Sequence, residues 1–274
     1  MEANGITVQC RTTLKGFLKQ KNVVSALVYR ELKTRISLVK FGFFGVLLQP
    51  IGTFIIFLLI FGFIRRRGVG GLDVSFVPIF LISGIILYTL FFEIITRSLN
   101  SIEANKALFF YRQVKPIDTI LARVYVESGL FSFVFIILTS AIFLIFETFT
   151  LDDLPLIFVN YVILTFTGFG LGTFFMVAGH RYPLIKLFVT FLQRPLFLTS
   201  GIFFSLESIP QRFQPFLSWN PILQAIEMTR HGFNKDYIIN TDKISITYSL
   251  AFAIISCTLG LWVYSNNERI LRTL

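Results

Sequence analysis

Cysteine and histidine are scarce, with two of each among 274 residues. Cys10 lies in a basic amino-terminal stretch and Cys257 inside the last apolar run, so no disulfide joins them in a membrane topology. His180 and His231 are separated by an apolar span, and no Cys/His metal cluster forms. The chain has no Gly-Lys dipeptide, which excludes the G-x-x-x-x-G-K-[ST] loop that cradles nucleotide phosphates. It also lacks H-E-x-x-H and any Ser/His/Asp constellation. The adjacent carboxylates Asp152 and Asp153 sit in a short turn, where turn initiation accounts for them. These absences leave a chain without catalytic chemistry, metal or cofactor of its own.

What the chain has is apolar length. Hydrophobic residues fill 54% of the positions and the mean hydropathy is +0.73, more than one soluble core can hide. Six runs reach the roughly 20 residues that cross about 30 Å of hydrocarbon: 41–64, 74–96, 124–149, 154–179, 184–204 and 244–264. The expected fold is an all-α integral membrane protein with six transmembrane helices. The chain then divides into a cytoplasmic tail with an interfacial helix (1–40), a six-helix bundle (41–264) and a second cytoplasmic tail (265–274).

Lys and Arg are retained on the cytoplasmic side, and six spans put both termini on one side. Termini inside leaves 17 basic residues in the cytoplasm and 7 outside, with Arg65, Arg66 and Arg67 as the exception. The net charge of +10 therefore reads as orientation and contact with anionic headgroups, without a nucleic-acid partner.

Between Leu14 and Lys40, apolar and basic residues alternate as in an amphipathic helix lying on the membrane. Val24, Leu27, Val28 and Leu32 share one face. Glu31 and Arg35, four apart, either pair with each other or contact a cytoplasmic partner. The loop 98–118 begins with a capping-box pattern, Asn100 with Glu103, and stops at Pro116. A short helix there carries Lys106, Leu108, Phe109, Phe110, Tyr111 and Arg112 into the cytosol. Exposed aromatics of this kind need either a protein partner or the lipid interface. Glu93 with Arg97, and Arg123 with Glu127, are expected to pair locally at the span ends. In span four, Gly168 and Gly172 form a G-x-x-x-G step that admits a close neighbour.

The stretch 184–232 carries the most information. An arginine near the middle of span five, Arg194, costs about 2.5–3.5 kcal/mol on insertion scales, and such charges face a bundle interior or an aqueous path unless they brace a kink, here at Pro195. Beyond it, Ile209-Pro210, the apolar stretch from Phe213 to Trp219, and the Asn220-Pro221 helix start predict two short helices that dip back into the outer leaflet. The rings of Phe203, Phe204, Phe213 and Phe216 lie nearest that exit and can stack on sugar faces.

The stretches 30–35 (RELKTR), 109–116 (FFYRQVKP) and 194–204 (RPLFLTSGIFF), with Ile209-Pro210 and Trp219-Asn220-Pro221, resemble the KpsM-like membrane subunits of bacterial capsular polysaccharide ABC exporters, related to O-antigen and teichoic acid permeases. The resemblance covers essentially the whole chain. It implies an inner-membrane homodimer, two copies of a separate ABC ATPase that bind ATP and Mg, and a lipid-linked polysaccharide cargo, with periplasmic or outer-membrane export proteins beyond. It implies that the 98–118 helix is a coupling helix in the ATPase groove and that the two short external helices are periplasmic gate helices. Channel residues would be Arg194, Phe203, Phe204, Phe213, Phe216 and Trp219. A smaller lipid or drug cargo remains an alternative.

Overall fold

The computed structural model describes residues 2–38, 43–64, 76–111, 113–145, 151–239 and 242–272, and among them there is no β-strand. Ten α-helices follow one another: α1 (Glu2–Leu38), α2 (Phe43–Ile64), α3 (Val77–Leu99), α4 (Ser101–Asn105), α5 (Pro116–Ile145), α6 (Leu154–Arg181), α7 (Leu184–Thr199), α8 (Gln214–Ser218), α9 (Pro221–Phe233) and α10 (Ile246–Arg272). Arg65 to Arg67 and Arg112, singled out by sequence, lie outside the described residues.

Among the described residues four helices, α3, α5, α6 and α10, are long and apolar enough to cross a bilayer. In α2, which has 22 residues, the apolar stretch with described side chains is Leu47–Phe61. The fifth expected span is shorter than its apolar run. α7 has 16 residues, about 24 Å at 1.5 Å per residue, less than the hydrocarbon thickness. It ends because Gly201 takes φ 71°, a left-handed conformation that glycine reaches without a Cβ penalty and that commonly closes helices. Residues 200–206 then turn inward, with Ile202 and Leu206 fully buried. Elsewhere, helices outrun hydropathy: α5 starts at Pro116, and α10 continues to Arg272.

α3 is the central shaft. Most of its residues are buried, and α2, α5, α6, α7 and α9 pack around it. Close approach to α6 depends on missing side chains. A Cβ on Gly172 would meet Ser98 Oγ at 2.8 Å, and one on Gly168 would meet Ile94 at 3.2 Å, so the G-x-x-x-G step faces α3. The glycine between them faces the other way. A Cβ on Gly170 would lie 2.4 Å from the backbone of Ser256 and Cys257 in α10, and one on Gly260 would lie 2.3 Å from the Gly170 carbonyl. α6 is thus clasped on both sides at one level.

The helix starts follow local chemistry. Asp153 caps α6 by accepting from Leu156 N at 3.0 Å, while Asp152 accepts from Lys235 N at 2.9 Å. Asn220 caps α9 as its sequence predicts, accepting from Ile222 N at 3.0 Å, with Pro221 in the first turn. α9 is too short to cross a bilayer.

α1 is placed differently from the expectation. Val24 and Leu27 do pack as one face, but against Ala122 of α5 together with Leu108, Val114 and Leu121, so that this face meets protein. The docking loop also departs from its predicted form. Asn100 makes no capping bond to α4; its side-chain amide donates to Thr96 O at 3.1 Å. α4 is five residues long and continues as a 3₁₀ turn over Lys106–Leu108.

We predict that Gly170→Ala lowers the melting temperature of the purified protein in detergent, with a loss of about 1–3 kcal/mol for overpacking. Gly129→Ala, where an added Cβ meets nothing within 4 Å, changes it by less.

Candidate functional site: a docking segment, a charge cluster and an outer-end hub

At the α4 end of the bundle, Phe110 is 84% and Tyr111 67% exposed, and Lys106 is exposed beside them. Leu108 and Phe109 are half-buried, the first on the Val24–Leu27 cluster and the second on Ile102, Ile117 and Met176. The segment is held from three directions. Arg30 of α1 donates to Asn105 Oδ1. Gln20 donates to Asp118 Oδ1 at 2.9 Å, and Asp118 Oδ2 accepts from Lys115 N at 3.0 Å. Lys186, in the first turn of α7, pairs with Glu103, and its ammonium holds the Glu103 carboxyl below the usual carboxylate range. With its pKa lowered on folding, Glu103 adds stability above its unfolded value, and the contribution fades as pH falls through the lowered one.

Just inside this end, α1, α3 and α5 share a charge cluster. Glu127 Oε1 accepts from Arg35 at 2.5 Å and lies 2.7 Å from Arg97 Nε. Arg97 also reaches Glu93 at 3.1 Å and Arg35 reaches Glu31 at 3.3 Å. Those two pairs match the four-residue spacing. The third expected pair does not form: Glu127 is taken by α1 and α3, and Arg123 turns to Glu31, 3.8 Å away, and to the Arg97 carbonyl. Glu31 and Arg35 are both turned inward.

α7 presents an open apolar face. Leu184, Leu187, Phe188, Phe191 and Leu198 are exposed on it, and Arg194 and Pro195 lie in the same groove. Phe203 does not share that face. It packs half-buried against Phe57 at 4.9 Å, Phe61 at 5.1 Å and Phe197 at 5.3 Å between ring centroids, joining α2 to α7. Phe204 is half-buried beside Leu206 and Leu223. Phe213, Phe216 and Trp219 are exposed on and around α8.

At the opposite end of the bundle, beyond α7, sits a site that sequence reasoning passed over. Arg230 of α9 is 0% exposed. Its guanidinium donates to Phe80 O at 3.1 Å, Ile202 O at 3.2 Å and Phe204 O at 3.3 Å, and to Glu227 Oε1 at 3.0 Å. Its Cζ lies 3.4 Å from the centre of the Phe80 ring. Tyr237 donates to the other Glu227 oxygen at 2.8 Å. One side chain therefore fastens α9, the inward turn after Gly201 and the start of α3. Asn220 adds a second tie, donating to Ser200 Oγ at 3.2 Å. The sequence signal was Glu227 and Arg230 three apart on a helix otherwise carrying Ile222, Leu223 and Ile226.

These features define a multi-helix integral membrane protein with an exposed aromatic segment at one end and a polar-stapled pair of short helices at the other. The chain belongs to the ABC-2 type transporter family, which it matches over residues 22–234. It is 35% identical to the polysialic acid transport protein KpsM of Escherichia coli over 94% of this chain and 98% of that protein. It is 27% identical to the capsule polysaccharide export inner-membrane protein CtrC of Neisseria meningitidis, over 90% of each. With the capsule polysaccharide export inner-membrane protein BexB of Haemophilus influenzae it shares 26% over 93% of this chain and 95% of that one.

Arg230→Met leaves Glu227 buried without its cation, and we predict a loss of about 3–5 kcal/mol, read as a fall in melting temperature. Arg230→Met with Glu227→Gln recovers part of it.

Proposed function

We propose that this chain is the permease subunit of an ATP-driven exporter that moves a lipid-linked capsular polysaccharide from the cytoplasm to the periplasm. The observation that carries this reading is the similarity, over nearly the full length of both chains, to proteins named for polysialic acid transport and capsule polysaccharide export. The chain sits in the bacterial inner membrane with six crossings, α2, α3, α5, α6, α7 and α10, and both termini in the cytoplasm. α7 and the inward turn after it complete the fifth crossing together, and α8 and α9 form the re-entrant periplasmic gate.

Hydrolysis of ATP takes place on a separate ATPase, two copies per assembly. Its groove receives the segment around Lys106, Phe110 and Tyr111, whose exposed rings support a protein contact. Two copies of this chain enclose the channel, with the open α7 faces and their Arg194 residues turned toward it. The pair of Arg194 cations there suits an acidic glycan, and aromatic rings at the exit give sugar faces a surface to slide on. Phe213, Phe216 and Trp219 are the rings with that exposure; Phe203 supports the channel wall from behind. Glu31 and Arg35 join the docking segment to α3 and α5 through the charge cluster. O-antigen, teichoic acid or a smaller lipid is the alternative cargo on the same architecture.

Deleting the gene tests the reading directly: completed lipid-linked polymer accumulates in the cytoplasm, whereas loss of a biosynthetic enzyme leaves none. Phe110→Glu with Tyr111→Glu abolishes co-purification of the ATPase and leaves the melting temperature unchanged. Arg194→Glu stops export while Arg194→Lys retains it; full export by Arg194→Glu removes Arg194 from the channel.

A further inference from the structure

A crevice of about 270 Å³ opens between α1, α2, α3 and α5. One end of its wall carries Arg35, Glu93, Arg97 and Glu127; toward the other lie Leu130, Phe131 and Val134 of α5, with Gln49, Thr53 and Thr89 also in the lining and both threonine hydroxyls turned back to carbonyls of their own helices. Seven residues of helix separate Glu127 from Val134, about 10 Å. A ligand that fits this space is charged at one end and mainly apolar at the other. On the two helices that flank the crevice, Leu48, Ile55 and Ile56 of α2 and Phe133, Ile136 and Ile137 of α5 are exposed, apolar surface over which acyl chains can continue.

The charged end has unspent capacity. Arg35 is 9% exposed, lines the crevice, and its Nε is buried with no hydrogen-bond partner. Arg97 and Glu93 keep 39% and 25% of their side-chain surface open, so each can take a ligand atom without leaving the other. Glu127 is 2% exposed and already held by two guanidinium groups; it forms the back of the site. The two arginines and two glutamates in the wall cancel in formal charge. A headgroup that cancels as well is the complement: an anion for the guanidinium groups, joined to an ammonium for Glu93.

We propose that this crevice holds one zwitterionic aminophospholipid per subunit, with its phosphate against Arg97 and Arg35 and its ammonium against Glu93. The assignment requires only that the chain lies in a bilayer. It is independent of the cargo, which would be absent from the test.

The experiment uses the full-length chain purified from cells that make no polymer. Native mass spectrometry should find one phosphatidylethanolamine per subunit, and exchange into mixed vesicles should favour phosphatidylethanolamine over phosphatidylglycerol by about tenfold, the scale of one charge-assisted hydrogen bond. Leu130→Trp, which fills the apolar end and leaves the charges in place, loses the retained lipid. Glu93→Gln gives the wall a net positive charge and shifts the preference to phosphatidylglycerol. Wild-type protein that retains no phospholipid, or exchanges the two classes equally, overturns the proposal, as does undiminished retention by Leu130→Trp. Retention only when the cells make polymer overturns it too, since the site would then belong to the cargo's lipid end. If a variant fails to fold, as judged by its melting, the wild-type exchange decides.

Discussion

Lipid tails are as apolar as leucine, so burying hydrocarbon cannot by itself tell helices in a bilayer where to sit. α3 is buried along most of its length, yet its apolar side chains would satisfy many neighbours equally. What selects the neighbours is polar and charged chemistry at its two ends, with missing side chains between. Glu127 draws α1 and α3 to α5, and Arg230 draws α9 and the turn after α7 to the opposite end of α3. A buried charge with its partner removed is costly, and this penalty makes each junction specific as well as tight. In between, Gly168 and Gly172 let α6 seat against α3 while Gly170 and Gly260 seat α10 on its far side.

Those junctions also tie the exposed segments at the two ends to the same helices. The segment around Phe110 and Tyr111 is not an isolated loop, because Leu108 and Phe109 are embedded in the clusters that α1, α5 and α6 build. At the other end α9 reaches α3 through the buried Arg230 guanidinium and through Ile222, Ala225, Ile226 and Phe233, which share one buried cluster with it. α3 thereby connects both ends, and the inward turn after Gly201 is fastened to it through Arg230.

The sequence made the long helices legible because apolar length is a local property. α6 begins where its run begins, at Leu154, and Asn220-Pro221 opens α9 as its capping chemistry dictates. Boundaries shifted where helix and hydrocarbon part company: α5 and α10 extend past their apolar runs, and α7 stops inside one, because a glycine conformation ends it. Tertiary partners were much less legible. Glu127 has an arginine four residues away, which satisfies a local rule, but residues 35 and 97 approach closer in space. The Val24–Leu27 face is equally suited to lipid and to α5, and only the folded chain decides. Arg230 was visible as a charge on an apolar helix, but nothing local says that three of its acceptors are backbone carbonyls from two distant segments.

The Glu103–Lys186 pair gives α7 unequal fastenings. Its far end is bound through Ser200, Asn220 and the buried turn, whereas its first turn is tied to α4 by an ion pair whose carboxylate side chain is 60% exposed. Water and salt reach the second fastening and not the first. α7 is therefore held more firmly at the buried turn than at the α4 end, where the strength of the ion pair follows the ionic strength of the solution, whose Debye length is about 8 Å under physiological conditions.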